Sequence, residues 1–477
     1  MFMKRLLLCW MLIFPLLAVA QTITVSEEIS IRNEVGYELI GEMGNRVLLF
    51  LDRSSRFFVQ AFDERMQSVW EKELDLDARR PTVLGILGRR QDFSILYYYR
   101  DNGDYLLKMH TYDPAANLID SATVKNLGPF LSFPQFEIIR SEDRSKIMVF
   151  RLSGFNDLEA TVIDVPTQEV IWESKFSPED MVYSRDFQQL LLSDHGEMYF
   201  ILDRDNRRPR DQAHRYEVFI GSRDIGPEPV SLSLKMNGLL TYDAMFSIDN
   251  LNNYLVAGGM YYDDNPGRAN GYFYLQYDLD KGMQPLLSSE PFDDEFVMNL
   301  LGQKGNKKNK GVIETSVREI VHRQDGGILM IGERNRTFER QSTSSRAAYR
   351  AGGQYIIDYY YDELFVISIH PDGQTHWTAV LPKKQYSQDD DAAYSSYFLM
   401  KTPTSLRLLY NDEIRQENMV SEYVVSGNGM FDRNSVFSTE HQELKLLVRD
   451  AVQTSTSELI IPSERRNRLK LVRIKYD

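Results

Sequence analysis

The fold of this chain is indicated by one stretch that occurs three times, as QAFDERMQSVWEKEL (60–74), TVIDVPTQEVIWESKF (161–176) and ISIHPDGQTHWTAVL (367–381). In each copy an alternating apolar strand ends at a polar turn, and the next strand contains a tryptophan. Two of the tryptophans lie seven residues after the first turn residue, and the third lies eight after it. This regular spacing predicts that the three tryptophans occupy equivalent positions in a repeated β-unit.

Four further units lack the tryptophan but follow the same pattern, and they end near Asp113, Ile220, Asp278 and Ser426. The turns at Asp63, Asp113 and Asp164 lie 50 and 51 residues apart. A repeat of about 50 residues with about four strands is typical of a β-propeller blade. The chain is therefore predicted to be all-β, a single propeller of about seven four-stranded blades, with six or eight left open. Two β-sandwiches in tandem are the alternative, because alternation alone does not distinguish them.

The strand at 469–476 is predicted to pair with an early strand such as 22–26, which closes the ring and protects the sheet edges. The interval from Asp278 to His370 is 92 residues, almost two repeats, and predicts a loop insertion at about 302–353. Two parts of this insertion are interpreted as loops: lysine-rich GQKGNKKNKG (302–311) and the Ser/Arg-rich stretch 334–353.

The first twenty residues are interpreted as a secretory signal peptide. Lys4 and Arg5 precede an apolar stretch at 6–17, and Ala18-Val19-Ala20 forms a cleavage site before Gln21. The only cysteine, Cys9, lies inside this segment, so the mature chain is predicted to lack disulfides. We expect residues 21–477 to form the propeller and to be exported, either periplasmic or associated with the outer membrane. No membrane-spanning segment is expected after cleavage.

Composition and charge exclude several classes of protein. The 477 residues are 43% apolar and 26% charged, which is a globular balance and does not fit a coiled coil, a collagen or a polytopic membrane protein. The chain has 55 basic and 69 acidic side chains, and this excess of acid argues against general nucleic-acid binding.

The segment 302–350 has the opposite charge, with eleven basic and five acidic side chains. Such polarity steers association, so the segment is interpreted as a docking element for an acidic envelope protein or an anionic surface. The candidate docking residues are Lys304, Lys307, Lys308, Lys310, Arg334, Arg336, Arg340 and Arg346.

The tryptophan-containing unit resembles the repeat of quinoprotein-like propellers. Three stretches are similar to an uncharacterised family of exported Bacteroidota proteins: REIVHRQDGGILMIGE (318–333), DYYYDELFVISIHPDGQTHWTAVLPKKQYSQDDDAAYSSY (358–397) and IPSERRNRLKLVRIKYD (461–477). This resemblance covers roughly the last third of the chain. It implies a propeller fold and an exported location, and it supplies no functional residues.

No catalytic or cofactor-binding motif is present: there is no HExxH, no G-x-S-x-G, no P-loop and no G-x-G-x-x-G. His370 and His376 flank a turn and are interpreted as surface residues that face each other across it. Acidic clusters at 263–265, 293–295 and 389–391 do not match the EF-hand pattern and leave a calcium site open. Tyrosine runs at 97–99, 261–262, 272–274 and 359–361 are interpreted as structural, with an exposed stacking platform as the alternative.

These observations favour a secreted, non-enzymatic β-propeller that acts as a protein-binding or scaffold module in the bacterial envelope. The alternative is a carbohydrate-binding or carbohydrate-active propeller, which would use the tyrosine platforms and a pair of facing carboxylates. A quinone-cofactor dehydrogenase is the third hypothesis, although such enzymes carry a fuller set of tryptophan repeats and a calcium site.

Overall fold

The computed structural model of the protein describes residues 21–32, 36–153, 157–207, 213–302, 311–341, 355–412, 414 and 419–476. The predicted signal peptide at 1–20, with Cys9, lies outside these residues. No helix within the described ranges has both the length and the apolar character needed to cross a membrane.

The described residues form eight blades, each an antiparallel sheet of at least four strands. The chain begins with β1 (Thr22–Val25) and β2 (Ile29–Ser30), which belong to the last blade. Blade 1 is formed by β3 (Gly36–Met43), β4 (Arg46–Asp52), β5 (Phe57–Phe62) and β6 (Ser68–Leu74). Blade 2 is formed by β7 (Thr82–Gly88), β8 (Phe93–Asp101), β9 (Asp104–Tyr112) and β10 (Leu118–Gly128).

Blade 3 is formed by β11 (Glu137–Arg140), β12 (Lys146–Ser153), β13 (Asp157–Asp164) and β14 (Glu169–Phe176). The short helix α1 (Tyr183–Asp186) leads into blade 4, which is formed by β15 (Phe187–Leu192), β16 (Met198–Arg204), β17 (Arg215–Gly221) and β18 (Val230–Lys235). Blade 5 is formed by β19 (Leu240–Asp249), β20 (Tyr254–Tyr262), β21 (Gly271–Asp278) and β22 (Leu286–Pro291).

Helix α2 (Asp294–Leu301) precedes blade 6, which is formed by β23 (Thr315–His322), β24 (Ile328–Gln341), β25 (Tyr355–Ile369) and β26 (Thr375–Leu381), with β27 (Gln385–Gln388) added to β25. Blade 7 is formed by β28 (Phe398–Lys401), β29 (Ser405–Asn411), β30 (Val420–Ser426) and β31 (Phe431–Phe437). Two 3₁₀ turns (Glu440–Gln442 and Val448–Asp450) lead into β32 (Val452–Gln453), β33 (Glu458–Arg465) and β34 (Arg468–Lys475) of blade 8.

Each seam between neighbouring blades is filled by a hydrophobic cluster, and the described residues contain eight such clusters, one for each seam. Strand β4 shows how the sequence produces this arrangement. Val47, Leu49 and Leu51 face blade 8, whereas Leu48 and Phe50 face blade 2. Because alternate side chains of a strand point to opposite faces, a middle strand buried on both faces is continuously apolar.

The two faces of the ring carry different connections, because each blade is an antiparallel meander. The face with the links between blades and the hairpins between second and third strands is called the connection face. The opposite face, with the turns between first and second and between third and fourth strands, is called the turn face. The first strands of the blades surround a central channel.

The predicted closure of the ring is confirmed. Strand β1 is the outermost strand of blade 8 and pairs antiparallel with β34, with Thr22 opposite Lys475 and Val25 opposite Val472. The predicted number of blades, about seven, is wrong, and so is the alternative of tandem sandwiches. The seven repeated units lie in blades 1 to 7. Blade 8 takes its fourth strand, β1, from the other end of the chain. It therefore lacks the turn between third and fourth strands by which the other units were recognised in the sequence.

The long interval before His370 also has a structural cause. Part of it is helix α2, which buries Phe296 in the seam of blades 5 and 6. Asp293 caps this helix, because its carboxylate accepts a hydrogen bond from the Phe296 N–H at 2.6 Å. Another part is the hairpin of β24 and β25, which is longer than its equivalents. The stretch from Arg334 to Gln341 was expected to be a loop, but it continues β24, because its backbone pairs with residues 355–361 of β25.

The three tryptophans occupy equivalent positions, as expected from their spacing, and each packs against the following blade. Trp172 is 7% exposed, and its indole N–H donates to the Gly196 carbonyl of blade 4 at 2.7 Å. Trp377 donates to the Gly427 carbonyl of blade 7 at 2.9 Å. Trp70 and Trp377 are only partly buried, so Trp172 is the best-shielded of the three.

We expect Trp172→Ala to lower the free energy of unfolding by about 3–5 kcal/mol, because it removes a buried aromatic and a contact between blades. Urea and thermal denaturation measure this loss. Trp70→Ala is the matched comparison and should cost less, because Trp70 is partly exposed. Equal stability of the wild-type protein and the Trp172 variant would contradict the anchoring role.

Deleting residues 21–31 should cause aggregation and a lower melting temperature, because β34 then becomes an exposed sheet edge. Size-exclusion chromatography and thermal denaturation measure both effects. The exposed substitution Thr22→Ser keeps β1 in place and serves as the control. A truncated protein that stays monomeric with unchanged melting would show that β1 is dispensable for closure.

Candidate functional site

The predicted docking residues are divided between described and undescribed parts of the chain. Lys304, Lys307, Lys308, Lys310 and Arg346 lie outside the described residues. The described residues 311–341 contain five basic and five acidic side chains, so the positive excess belongs to 303–310 and 342–350.

The other three candidates lie on the hairpin of blade 6, and each is paired with a carboxylate. Arg334 contacts Glu314 at 3.5 Å and Glu363 at 3.3 Å. Arg336 contacts Glu314 at 3.4 Å, with its guanidinium 4.4 Å from the centre of the Tyr360 ring. Arg340 contacts Asp358 at 2.6 Å. These pairs compensate the charges locally, and the three arginines stiffen the projecting hairpin.

A buried ion pair fixes the base of this hairpin to the link between blades 6 and 7. The Lys383 ammonium lies 2.7 Å from Glu333, and neither side chain is exposed. Lys383 also donates to the Tyr361 carbonyl at 3.0 Å and to Gln385 at 2.8 Å, while Ser396 donates to Glu333 at 2.7 Å. Burial lowers the pKa of Lys383. All the polar atoms of this pair are satisfied, as a buried charge pair requires.

A second part of the connection face carries an exposed apolar patch. The link between blades 2 and 3, PFLSFPQF (129–136), leaves Leu131 fully exposed and Phe133 61% exposed. Phe133 belongs to an aromatic cluster whose neighbouring ring centres are 5.4–6.3 Å apart; the cluster consists of Tyr98, Tyr105, Phe130, Phe133 and Phe136. The buried Tyr98 hydroxyl donates to the Pro134 carbonyl at 2.7 Å, which fixes the backbone of this link.

A groove with a volume of about 560 Å³ runs beside this patch, between blades 2 and 3. Leu127, Phe130 and Phe136 form an apolar wall of the groove. The cations along it are paired: Lys125 contacts Glu173 at 2.8 Å, and Arg151 contacts Glu159. Lys175 also contacts Glu159, at 2.9 Å, so each of the three cations is paired although only two carboxylates line the groove. The apolar wall is continuous with the aromatic cluster.

The central channel contains ionisable groups from several first strands. Arg140 of β11 contacts Glu38 of β3 at 3.0 Å, and burial raises the pKa of Glu38. Glu319 of β23 lies 3.8 Å from Lys401 of β28, and burial raises the pKa of Glu319 as well. These pairs cross from one blade to another and leave the channel polar.

One further contact in this channel, between Ser247 of β19 and His322 of β23, was not predicted from the sequence. The Ser247 hydroxyl and His322 Nε2 are 2.7 Å apart. The two residues are 75 positions apart in the chain and belong to no known motif, so only the adjacency of two first strands brings them together.

One pair of facing carboxylates occurs among the turns of the turn face. Asp194 accepts a hydrogen bond from the Asp143 N–H at 3.0 Å, and burial, with the charge of Asp143, raises the pKa of Asp194. Asp194 in turn donates its N–H to Asn250 at 3.0 Å. These contacts connect the turns of blades 3, 4 and 5.

Several tyrosines and histidines considered as candidate binding residues have structural roles. Tyr97, Tyr98, Tyr272 and Tyr274 are buried, so the structural interpretation of these tyrosines is confirmed. The rings of His370 and His376 face each other with centres 4.5 Å apart.

Within the part of the chain that the structure describes, no three His, Cys, Asp or Glu side chains are grouped to hold a metal ion. The acidic cluster at 389–391 makes local contacts, such as the one from the Ile357 N–H to Asp389 at 2.8 Å. The calcium site left open by the sequence stays a hypothesis.

Comparison with known proteins identifies no family. No family model matches the chain, and no curated protein matches it. Among solved structures, a quinohemoprotein alcohol dehydrogenase from Comamonas testosteroni is 9% identical over 95% of this chain and 76% of that one, with a TM-score of 0.42.

Two other solved structures illustrate the range of similar proteins. A protein of unknown function from Bacteroides caccae is 11% identical over 72% of this chain and 93% of that one, with a TM-score of 0.28. The Nup133 β-propeller domain of Vanderwaltozyma polyspora is 8% identical over 96% of this chain and 98% of that one, with a TM-score of 0.36. Similarities this distant carry no information about activity.

Proposed function

We propose that this chain is an exported β-propeller that binds another protein of the bacterial envelope and acts there as a scaffold. The exposed patch formed by Leu131 and Phe133 on the connection face is the observation that carries this proposal. The assignment to the exported Bacteroidota family belongs to the same proposal, as does a periplasmic or outer-membrane-associated location.

Two physical features favour binding at this patch. Phe133 is held in a packed aromatic cluster, so little conformational entropy is lost when its exposed part becomes buried, and Leu131 lies two residues before it on the same link. Large apolar side chains at the centre of an interface contribute most of the binding energy when they fill a pocket in the partner. The neighbouring groove adds an apolar wall, and its paired cations border the patch. This arrangement suits a protein partner with an apolar segment.

The test replaces the exposed side chains of the connection face and compares the effect with that of equivalent substitutions on the turn face. Leu131→Ser should leave the melting temperature unchanged, because its side chain is fully exposed, whereas Phe133→Ser also removes ring contacts with Tyr98 and Tyr105 and should lower it. Together the two substitutions should weaken association with the native envelope about tenfold or more. The matched control is Leu251→Ser with Met283→Ser, which removes two exposed apolar side chains from the turn face.

A photocrosslinking amino acid at position 131 or 251 identifies the surface that is in contact. We expect one defined protein adduct from position 131 and none from position 251. Equal adducts from both positions, or unchanged association of the double variant, would contradict docking at this patch.

The lysine-rich segment 302–311 is proposed as a second, electrostatic contact with an acidic partner. Replacing Lys304, Lys307, Lys308 and Lys310 with Ser should leave folding intact and slow association at low salt, because steering between charged surfaces is screened by ions. Association rates at two salt concentrations measure this effect. An unchanged rate at low salt would remove the segment from the interface and leave the Leu131 patch unaffected.

A further inference from the structure

The central channel contains a cavity that opens at the turn face between blades 3 and 7. Its volume is about 570 Å³, large enough for a small organic molecule. Apolar side chains form part of its wall, contributed by Ile139, Leu191, Ile320 and Val321. Asn250 and Leu251 lie in the turn between β19 and β20, so they mark the side from which solvent enters.

Ser247 and His322 meet in the wall of this cavity. Their side chains come from the neighbouring first strands β19 and β23, and Oγ lies 2.7 Å from Nε2. Both residues are half-buried, so the pair faces the cavity and is shielded from bulk water. This is the distance at which an imidazole removes the proton of an attacking hydroxyl.

The surroundings of the imidazole favour the tautomer that this reaction needs. His322 Nδ1 is buried and makes no hydrogen bond within the described residues, and the Asp249 carboxylate is 4.0 Å from it. A proton on Nδ1 is stabilised by this negative charge, which leaves the lone pair of Nε2 directed at Ser247. Three hydrogen bonds hold the Asp249 carboxylate in place. The backbone N–H groups of Leu251 and Asn252 donate to it at 3.0 and 3.1 Å, and the side-chain amide of Asn252 donates at 2.7 Å.

The ionisation state of His322 also suits a base. Burial lowers its pKa, while the charges of Asp249 and Glu142 act in the opposite direction and Lys401 acts with burial. The net effect is a pKa below the usual value of 6.5, so the imidazole is neutral near pH 7.

The free edge of β19 provides a hydrogen-bond donor beside the serine. The backbone groups of residues 244 and 246 point away from β20. The side chain of Gln188 donates to the Ala244 carbonyl, and the side chain of Gln189 bonds the N–H and the carbonyl of Phe246. Ile248 has the same parity in this continuous register, so its N–H points toward the channel. A backbone N–H directed at the carbonyl of a bound ester stabilises the oxyanion that forms there, and the Ile248 N–H is the candidate donor.

We propose that Ser247 and His322 form a nucleophile and general base that hydrolyse small esters in the central channel. The Ser247 oxygen attacks the ester carbon, and His322 Nε2 accepts its proton and passes it to the departing alcohol. Water then attacks the acyl-serine, the same imidazole takes the proton of this water, and it passes that proton to the departing Ser247 oxygen as the carboxylic acid is released, which restores the serine hydroxyl and the neutral imidazole. One ester and one water thus give one acid and one alcohol. Asp249 is a positioning residue.

The cavity indicates the substrate class. Its apolar wall suits a short acyl chain, and its volume excludes polymeric substrates from the interior. Arg140 and Lys401 at the same cavity are already paired with Glu38 and Glu319. The carboxylates of Glu142 and Asp249 also line it, so the cavity suits an uncharged ester. This activity is independent of the proposed docking patch, which lies on the opposite face.

A fluorophosphonate probe and p-nitrophenyl butyrate test the proposal on the mature chain. We expect the probe to form a covalent bond with Ser247, identified by peptide mass spectrometry, and the ester to be hydrolysed. Ser247→Ala should abolish labelling, and His322→Gln should lower the hydrolysis rate by about 100-fold or more. Ser231→Ala, an exposed serine on blade 4, is the control and should change neither result.

Melting temperatures of the variants distinguish the loss of a reactive side chain from a loss of folding. Labelling of the wild-type protein should decline with falling pH at a lower pH than an unperturbed imidazole would give, because burial lowers the pKa of His322. Asp249→Asn should move this decline to still lower pH, because the Asp249 charge raises the pKa of His322. The proposal is overturned if correctly folded wild-type protein is not labelled at Ser247, or if Ser247→Ala hydrolyses the ester at the wild-type rate.

Discussion

Both faces of every blade are apolar, and this is the constraint on which the rest of the structure depends. A blade with one neighbour would expose the side chains of its middle strands, such as Val47, Leu49 and Leu51. Burial of apolar surface is worth roughly 25 cal/mol per Å², so each open seam would be costly. The pairing of β1 with β34 removes that cost because it brings the two ends of the chain into one blade. Ring closure is therefore a consequence of blade composition.

The connection face is where this protein departs from a regular propeller. Links between blades are free to vary there, since the seams and the pairing of β1 with β34 maintain the ring. One such link forms the aromatic cluster with Leu131 at its tip, and another is held by the buried pair of Glu333 and Lys383. That pair is fully hydrogen-bonded, so it orients the hairpin of blade 6 without leaving an uncompensated charge.

A different constraint acts in the channel. The first strand of each blade has an edge with no neighbouring strand, and its backbone groups need partners. Gln189 satisfies Phe246, and Asp243 accepts from the Val317 N–H at 2.6 Å. Polar side chains are therefore required along the channel walls. Ser247 and His322 are two such polar side chains, and the packing of β19 beside β23 places them within hydrogen-bond distance, so the proposed hydrolytic pair uses groups that the fold already places there.

Much of the fold was predictable from local patterns, because a blade is built from contacts between consecutive strands. The tryptophan spacing, the turns and the alternation indicated a propeller, and the strand at 469–476 was matched to the strand at 22–26. The number of blades was not predictable in this way. Blade 8 combines strands more than 440 residues apart, and no local repeat reports such a blade. The site depended even more on tertiary structure: Ser247 and His322 are unremarkable in the sequence, and only the packing of two first strands around one axis makes them neighbours.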